Sequence, residues 1–423
     1  MKTQYKELDD LAKIISACSR CGFCMVECPA YGVTKIEWDA ARGRNKMAKE
    51  LLNSNVNLDK DLEEPIDSCL MCRSCYENCP SKVDTPKAVQ LMRTIRYKEG
   101  KMKLPYRILF ERVFTNPGLM RRGAMMLSGV QKTGLDKLGL GIAARFIPIA
   151  KAAQKVMPQL PFKSARTVLP KINKPKIKQK GKVLYFIGCA SDYAFSEVCI
   201  ATVNVLQNHG IEVVIPEVSC CGLPAHTYGH IDAARKLAET NIEILNKYEA
   251  DAIISDCPTC LAFLKDYPEL FSSGKIRNEA VMIADKIKDI AEYLLELDWE
   301  KPKKRINKII TYHRPCHVGR FLNTGKDVEK IIESLPGIDF RKAPNQDDCC
   351  GGAGSYCITQ YERSEQILEK KMTGLASTKA QFIVTNCPAC IMQLSSGIKS
   401  SPDPKTKNLK VVHLMQLLDM YYS

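Results

Sequence analysis

An α+β chain of several domains is what the sequence predicts. A mainly helical, cysteine-rich unit runs to about residue 100, and a basic connector covers 101–180. Two tandem α/β repeats with parallel strands then fill 181–305 and 306–423. Three observations carry this reading. Eight cysteines fall in two groups of four before residue 80. Five more, Cys189, Cys220, Cys221, Cys257 and Cys260, recur in order as Cys316, Cys349, Cys350, Cys387 and Cys390, at offsets of 127 to 130 residues. Short β-branched runs precede these cysteines and alternate with helix-like stretches, the pattern of a parallel α/β layer.

The first unit is built on "CSRCGFCMVECP" and "CLMCRSCYENCP", each a C-x2-C-x2-C-x3-C-P run. Three thiolates at this spacing wrap one face of a [4Fe-4S] cubane, and the fourth swings to the other cluster. The expected pairing is Cys18, Cys21, Cys24 and Cys79 around one cluster, with Cys69, Cys72, Cys75 and Cys28 around the other. Between the runs lies the helix-like "WDAARGRNKMAKELLNS". It makes the unit longer than a compact bacterial ferredoxin, and similar to the helical two-cluster domains of respiratory iron-sulfur subunits.

The connector has no cysteine. From Lys101 to Lys182 it holds 19 Lys and Arg against Glu111 and Asp136, a local +17 in a chain whose net charge is +15. It includes "PGLMRRGAMMLSGVQ" and "LGIAARFIPIAKAAQKV", and ends in "PKINKPKIKQKGK", which reads as a solvated linker. Three roles suit the charge: a seat on an anionic membrane surface, a docking face for an acidic flavoprotein, or a linker that offsets anionic clusters. Nucleic acid is not the expected partner, because no recognisable binding module accompanies the charge.

In the repeats, "KVLYFIG", "IEVVIP" and "DAIISD" precede Cys189, Cys220 and Cys257, while "KIITYHRP" and "QFIVTN" precede Cys316 and Cys387. Ligands of parallel sheets gather beyond the carboxyl ends of the strands, where these cysteines sit. The pairs in "VSCCGLPAH" and "DDCCGGAGSYC" are not expected to be disulfides, since neighbours on a trans peptide resist that geometry. Adjacent thiolates suit a metal cluster, because each can reach a different metal atom. The glycine that follows lets the backbone take positive φ or approach closely. "CPTC" and "CPAC" add two thiolates each, and only Cys199 and Cys357 stand outside the motifs.

His317, next to Cys316, is the candidate proton donor beside a cluster. His226 and His313 stand behind it. Arg314 and Arg320 are candidates to offset cluster charge or hold an anionic substrate.

These motifs resemble the cysteine-rich CCG domain that occurs in heterodisulfide reductase, in the glycolate oxidase iron-sulfur subunit and in anaerobic glycerol-3-phosphate dehydrogenase. "CCGGAGSY", "ERSEQILEKKM" and "VVHLMQLLD" look most like the glycolate oxidase protein. The resemblance implies up to two further, noncubane [4Fe-4S] clusters on the ten CCG cysteines. It also implies an electron-transfer subunit working between an FAD-containing 2-hydroxyacid dehydrogenase subunit and a quinone or electron-transfer flavoprotein. The other implied role is a catalytic subunit of the heterodisulfide reductase type, which reduces a disulfide. No G-x-G-x-x-G or G-x-x-x-x-G-K-[ST] motif opens a helix, so no flavin or nicotinamide is expected on this chain. The N-terminus lacks an apolar signal core, and no run of 18 uncharged apolar residues occurs. A cytoplasmic protein is expected, peripheral on the inner face of the membrane if the connector engages lipid.

Overall fold

The computed structural model describes residues 5–58, 61–134, 148–297 and 302–422. In the N-terminal unit, α1 (Lys6–Ser16), α2 (Ala41–Leu52) and α3 (Thr85–Lys98) enclose a small core that includes Leu11, Ala48, Leu62, Ile66, Val89 and Met92. Asp84 caps α3 by accepting from the Lys87 amide at 3.0 Å, with Pro86 in the first turn. Two one-turn helices, Phe23–Val26 and Ser74–Glu77, carry cysteines between these elements. Buried Arg44 on α2 ties the second cysteine run in place by donating to Pro65 O at 2.7 Å and Ser68 Oγ at 2.9 Å.

The connector forms α4 (Pro117–Thr133) and shorter helical pieces. Residues 140–147 of "LGIAARFIPIAKAAQKV" lie outside the described residues. The stretch "PKINKPKIKQKGK" is mostly exposed, as expected of a solvated linker, but it is not without structure. Ile172–Asn173 form β1, which pairs antiparallel with β3 (Ile211–Val214). Buried Asn173 fixes the turn into β1 by donating to Pro170 O at 2.8 Å. The sheet edge left by β3 needs partners for its N–H and C=O groups, and a two-residue strand flanked by lysines supplies them. Lysine and proline signal solvent; edge strands tolerate both.

Each repeat carries a four-stranded sheet. The first orders β1-β3-β2-β4, with β2 (Gly181–Tyr185) parallel to β3 and to β4 (Ala252–Ile254). Its helices include α5 (Ser196–Asn208), α6 (Ile231–Leu245), α7 (Pro258–Lys265) and α8 (Ile290–Glu296). In the second repeat come β5 (Lys308–Tyr312), α9 (Gly325–Ser334), β6 (Ile338–Phe340), α10 (Tyr361–Ser377), β7 (Phe382–Thr385), α11 (Pro388–Ser400), β8 (Lys410–His413) and α12 (Leu414–Asp419). The order there is β6-β5-β7-β8, and all three pairings are parallel.

One hydrophobic core joins the repeats, drawing Tyr185, Ile254, Val205 and Leu294 from the first and Tyr312, Val384, Ile332 and Leu417 from the second. Each repeat sends its last helix across: α8 packs on α9, and α12 packs on α5. His413 caps α12 through Met415 N at 3.1 Å, and its Nε2 lies 3.0 Å from Asp256 O, beside Cys257. No described helix is long and apolar enough to cross a membrane.

Candidate metal centres

The two N-terminal cysteine runs wind alike. Arg20 and Met71 sit two residues after the first cysteine of each run, at φ of 60° and 58°. Gly22 and Arg73 sit two residues further on, at 89° and 60°. Left-handed residues on both sides of the central cysteine are costly for side chains other than glycine, and cluster where a loop clamps a ligand. Cys18, Cys21, Cys24 and Cys79 line one small recess with Asn45, and Cys75 of the other expected set borders it too. Asn45 Nδ2 reaches Cys18 Sγ at 3.5 Å, and the Val83 amide reaches Cys79 Sγ at 3.4 Å. Cys28 instead packs with buried Cys72 and Leu70. Burial and the neighbouring thiolates of Cys72, Cys69 and Cys28 push the Cys75 thiol well up.

In the repeats, the strand ends deliver the cysteines as the α/β pattern requires. Cys257 and Cys387 are the N-caps of α7 and α11, with Pro258 and Pro388 in the first turn and Cys260 and Cys390 one turn on. Free N–H groups and the helix dipole at this end favour thiolates. The CCG turns use Gly222 and Gly351 at φ of 94° and 82°. A Cβ on Gly351 would lie 2.8 Å from Ser364 O of α10; the nearest atom to one on Gly222 is Ala234 O of α6, at 3.3 Å.

Neighbouring cysteines point at different partners. Cys220 meets Cys189, while Cys221 meets Cys260. In the second repeat, Cys350 Sγ lies 3.7 Å from Cys390 Sγ. Some thiols are held well below their ordinary range by their neighbours: Cys221 by Cys220 and Cys260, Cys350 by Cys349 and Cys390, and Cys387 by Cys257 and Cys390. Crowded, soft sulfurs fit an iron-sulfur cluster, and all 20 cysteines are free.

The two sets and part of the second N-terminal run open on one cavity of about 1050 Å³. Three contacts knit them together. Cys257 meets Cys387 across the repeat seam. Thr259 Oγ1 lies 3.8 Å from Cys387 Sγ and 3.2 Å from His317 Nδ1. Arg320 donates to Cys72 O at 3.1 Å and to Asp347 O at 2.7 Å, with its charge among Cys72, Cys316 and Cys349.

The candidate polar residues are therefore placed as follows. His317 stacks on Phe321 with ring centres 4.4 Å apart, and its Nδ1 is 3.5 Å from Cys316 Sγ. Burial pushes its pKa down to about 4, so the imidazole is neutral at pH 7. His226 lines the cavity against Phe263, with burial pushing it down to about 3. Arg314 is engaged by Glu329 and by Asp347 at 2.8 Å, so its charge is already paired within the second repeat. Cys199 and Cys357 are fully buried, and the Cys357 thiol donates to Gly354 O at 3.1 Å.

Sequence reasoning missed four supporting residues. Asn241 of α6 accepts from Ser219 N at 2.8 Å and donates to Cys220 O at 2.9 Å, and Tyr267 donates to Cys221 O at 2.7 Å. Lys371 of α10, 1% exposed, donates to Gln346 O at 2.9 Å and to Asn345 O. Arg93 of α3 donates to Thr227 O at 2.8 Å, joining the N-terminal unit to the first repeat. The cysteine register would have aligned Asn241 with Lys371, at the same offset of 130 residues as Cys257 and Cys387.

Comparison with known proteins agrees with this architecture. A model described as a 4Fe-4S dicluster domain matches residues 14–83, and one described as a cysteine-rich domain matches 183–265 and 310–395. The chain is 30% identical over 436 residues to the probable glycolate oxidase iron-sulfur subunit of Bacillus subtilis (strain 168), covering 99% of this chain and 96% of that protein. It is 31% identical over 399 residues to the glycolate oxidase iron-sulfur subunit of Escherichia coli (strain K12), covering 92% and 91%. It is 26% identical to one of the proteins of the fumarate reductase (CoM/CoB) of Methanothermobacter marburgensis, covering 97% and 73%. With its dicluster domain, its duplicated cysteine-rich domain and full-length relatives at this identity, the chain belongs to the CCG-domain iron-sulfur oxidoreductases, the family of the glycolate oxidase iron-sulfur subunit.

Proposed function

We propose that this chain is the electron-transfer subunit of a complex, carrying electrons between an FAD-containing 2-hydroxyacid dehydrogenase subunit of glycolate or lactate type and a quinone or electron-transfer flavoprotein. The observation that carries this reading is continuity: Cys75 lines the recess of Cys18, Cys21, Cys24 and Cys79, Cys72 adjoins Cys316 and Cys349 through Arg320, and Cys387 adjoins Cys257, so that no cysteine group stands alone. In this reading Cys18, Cys21, Cys24 and Cys79 hold one cubane, and Cys69, Cys72, Cys75 and Cys28 the other. The ten CCG cysteines hold two further, noncubane clusters. When bound, such clusters supply one-electron transfer.

The chain's own residues position these groups and tune their surroundings. Arg320 places a guanidinium where three cysteine thiolates meet. His317 and Thr259 close the seam between the repeats. The connector, with exposed Leu104, Ile108, Leu119 and Met126 beside its basic residues, is the face offered to the flavoprotein or to an anionic membrane surface. The relatives' names supply the substrate class.

The test is to purify the tagged chain anaerobically, count iron, and mix it with a flavin-dependent glycolate or lactate dehydrogenase subunit from the same genome. Stable co-elution, with cluster signals reduced when the hydroxyacid is added, supports the reading. Iron at about eight per chain would limit it to the two ferredoxin-type groups.

A second reading, a heterodisulfide reductase-type catalytic subunit, has its own observation. The cavity opens on both CCG sets and has room for a ligand between them. Disulfide turnover by the isolated chain with a reduced dye would select it.

A further inference from the structure

The two CCG sites are built alike but not furnished alike. Three residues before Cys189 stands Phe186; three residues before Cys316 stands His313. Both are buried, at 0% and 1% exposure. A phenyl ring there asks for nothing. An imidazole carries two polar nitrogens, and neither nitrogen of His313 has a described partner at hydrogen-bond distance, the Cys350 sulfur being the polar group it faces. Buried polar atoms normally find partners, and an orphaned pair signals a missing one.

The surroundings indicate what is missing. His313, Cys350 and Cys390 each bring a ligand atom to within 4.8 Å of the others. The Cys350 and Cys390 sulfurs are 3.7 Å apart. That is far longer than a disulfide of about 2.05 Å. Two thiolates bound tetrahedrally to one metal at about 2.3 Å lie about 3.8 Å apart, and a third position takes a nitrogen about 3.6 Å from each sulfur. The sulfur pair already has that spacing, and His313 needs to close by about 1.2 Å at most.

We propose that His313, Cys350 and Cys390 bind one and the same metal ion, so that the second CCG site takes a nitrogen ligand that the first lacks. This rests on the reading above that the site holds an iron-sulfur cluster. Cys316, Cys349 and Cys387 then serve its remaining irons. Ligation replaces the hydrogen bonds that His313 does not make, and completes the coordination of that metal with a neutral donor. Neutral imidazole in place of thiolate raises cluster potentials, as in two-iron centres of mixed histidine and cysteine ligation. The second site, the one in contact with Cys72, thereby differs from the first by a neutral sixth ligand.

The test uses the full chain, purified anaerobically, with total metal analysis and pulsed EPR for nitrogen hyperfine coupling. The expected result is metal beyond the roughly eight irons of the ferredoxin-type groups, and a directly bound nitrogen signal that shifts with 15N-histidine and vanishes in His313→Phe. That variant carries the residue the first repeat already uses there. His313→Cys, which restores a ligand but adds charge, should keep the metal and lower the midpoint potential of this centre by about 60 mV or more, a tenfold change in a one-electron equilibrium. Extra metal without a nitrogen coupling that depends on His313, or an unchanged potential in His313→Cys, overturns the ligation and leaves the relay reading standing. Only about eight irons and no other metal overturns both the ligation and the loading of the CCG sites.

Discussion

Replacing the glycine of each CCG turn by alanine separates two costs that sequence alone would merge. Gly222 and Gly351 share the left-handed conformation, so alanine pays about 1–2 kcal/mol at either position. The space differs. At Gly222 the nearest atoms to the added methyl stand 3.3 Å away, close but adjustable. At Gly351 it would meet the Ser364 carbonyl of α10 at 2.8 Å, and that backbone is held by Ser364 Oγ donating to Gly351 O at 2.9 Å. Overpacking against such a fixed wall adds about 1–3 kcal/mol. For a unit the size of the joined repeats, Gly351→Ala should therefore melt roughly 2–12 °C below Gly222→Ala. It should also lose iron from the second CCG site first. Anaerobic calorimetry with iron analysis reads both. Equal melting of the two variants would refute the placement of α10 against the turn.

Other perturbations follow from the same contacts. Arg320→Leu removes a half-buried cation and two hydrogen bonds, at 3.1 and 2.7 Å. It should cost about 2–4 kcal/mol and move the potentials of the neighbouring centres downward in a redox titration. Cys79→Ser should disturb the centre of Cys18, Cys21 and Cys24, and Cys28→Ser that of Cys69, Cys72 and Cys75; EPR of the two variants should show opposite losses. Asp289 is 2% exposed, and burial pushes its pKa from 3.8 up to about 6. The folded chain therefore holds a proton there that the unfolded chain releases, so stability falls as pH rises from about 4 to 6. Asp289→Asn keeps a side-chain cap on α8 and should be about 1–3 kcal/mol more stable at pH 7, with that decline removed in thermal melts.

Much of this was legible because cysteine spacing is a strong code. The paired runs, the repeat register and the strands before each cysteine all announce themselves in one dimension. What could not be read was set by three-dimensional pairing. β1 hides in a stretch of lysine and proline because an edge strand needs only two residues and a free neighbour. β8 looks like the start of a terminal helix because "VVHLMQLLD" carries both elements without a break. Arg314 and Arg320 look equivalent in "HRPCHVGR", yet Arg314 is engaged by Glu329 and Asp347 while Arg320 reaches another domain. His317 invited a proton-donor reading by adjacency to Cys316; its burial, which no spacing reveals, leaves it neutral. His313 drew less attention, and only the packing shows that its nitrogens have no described partner at hydrogen-bond distance.

The crossing of α8 and α12 between the repeats has an evolutionary consequence. Two copies that each lend the other a final helix describe an intertwined homodimer, here written into a single gene. Once fused in that way, the halves can diverge in chemistry, one keeping phenylalanine where the other takes histidine. They cannot part company: deleting, truncating or shuffling either one would strip apolar surface from the other. The duplication is locked in by its own packing.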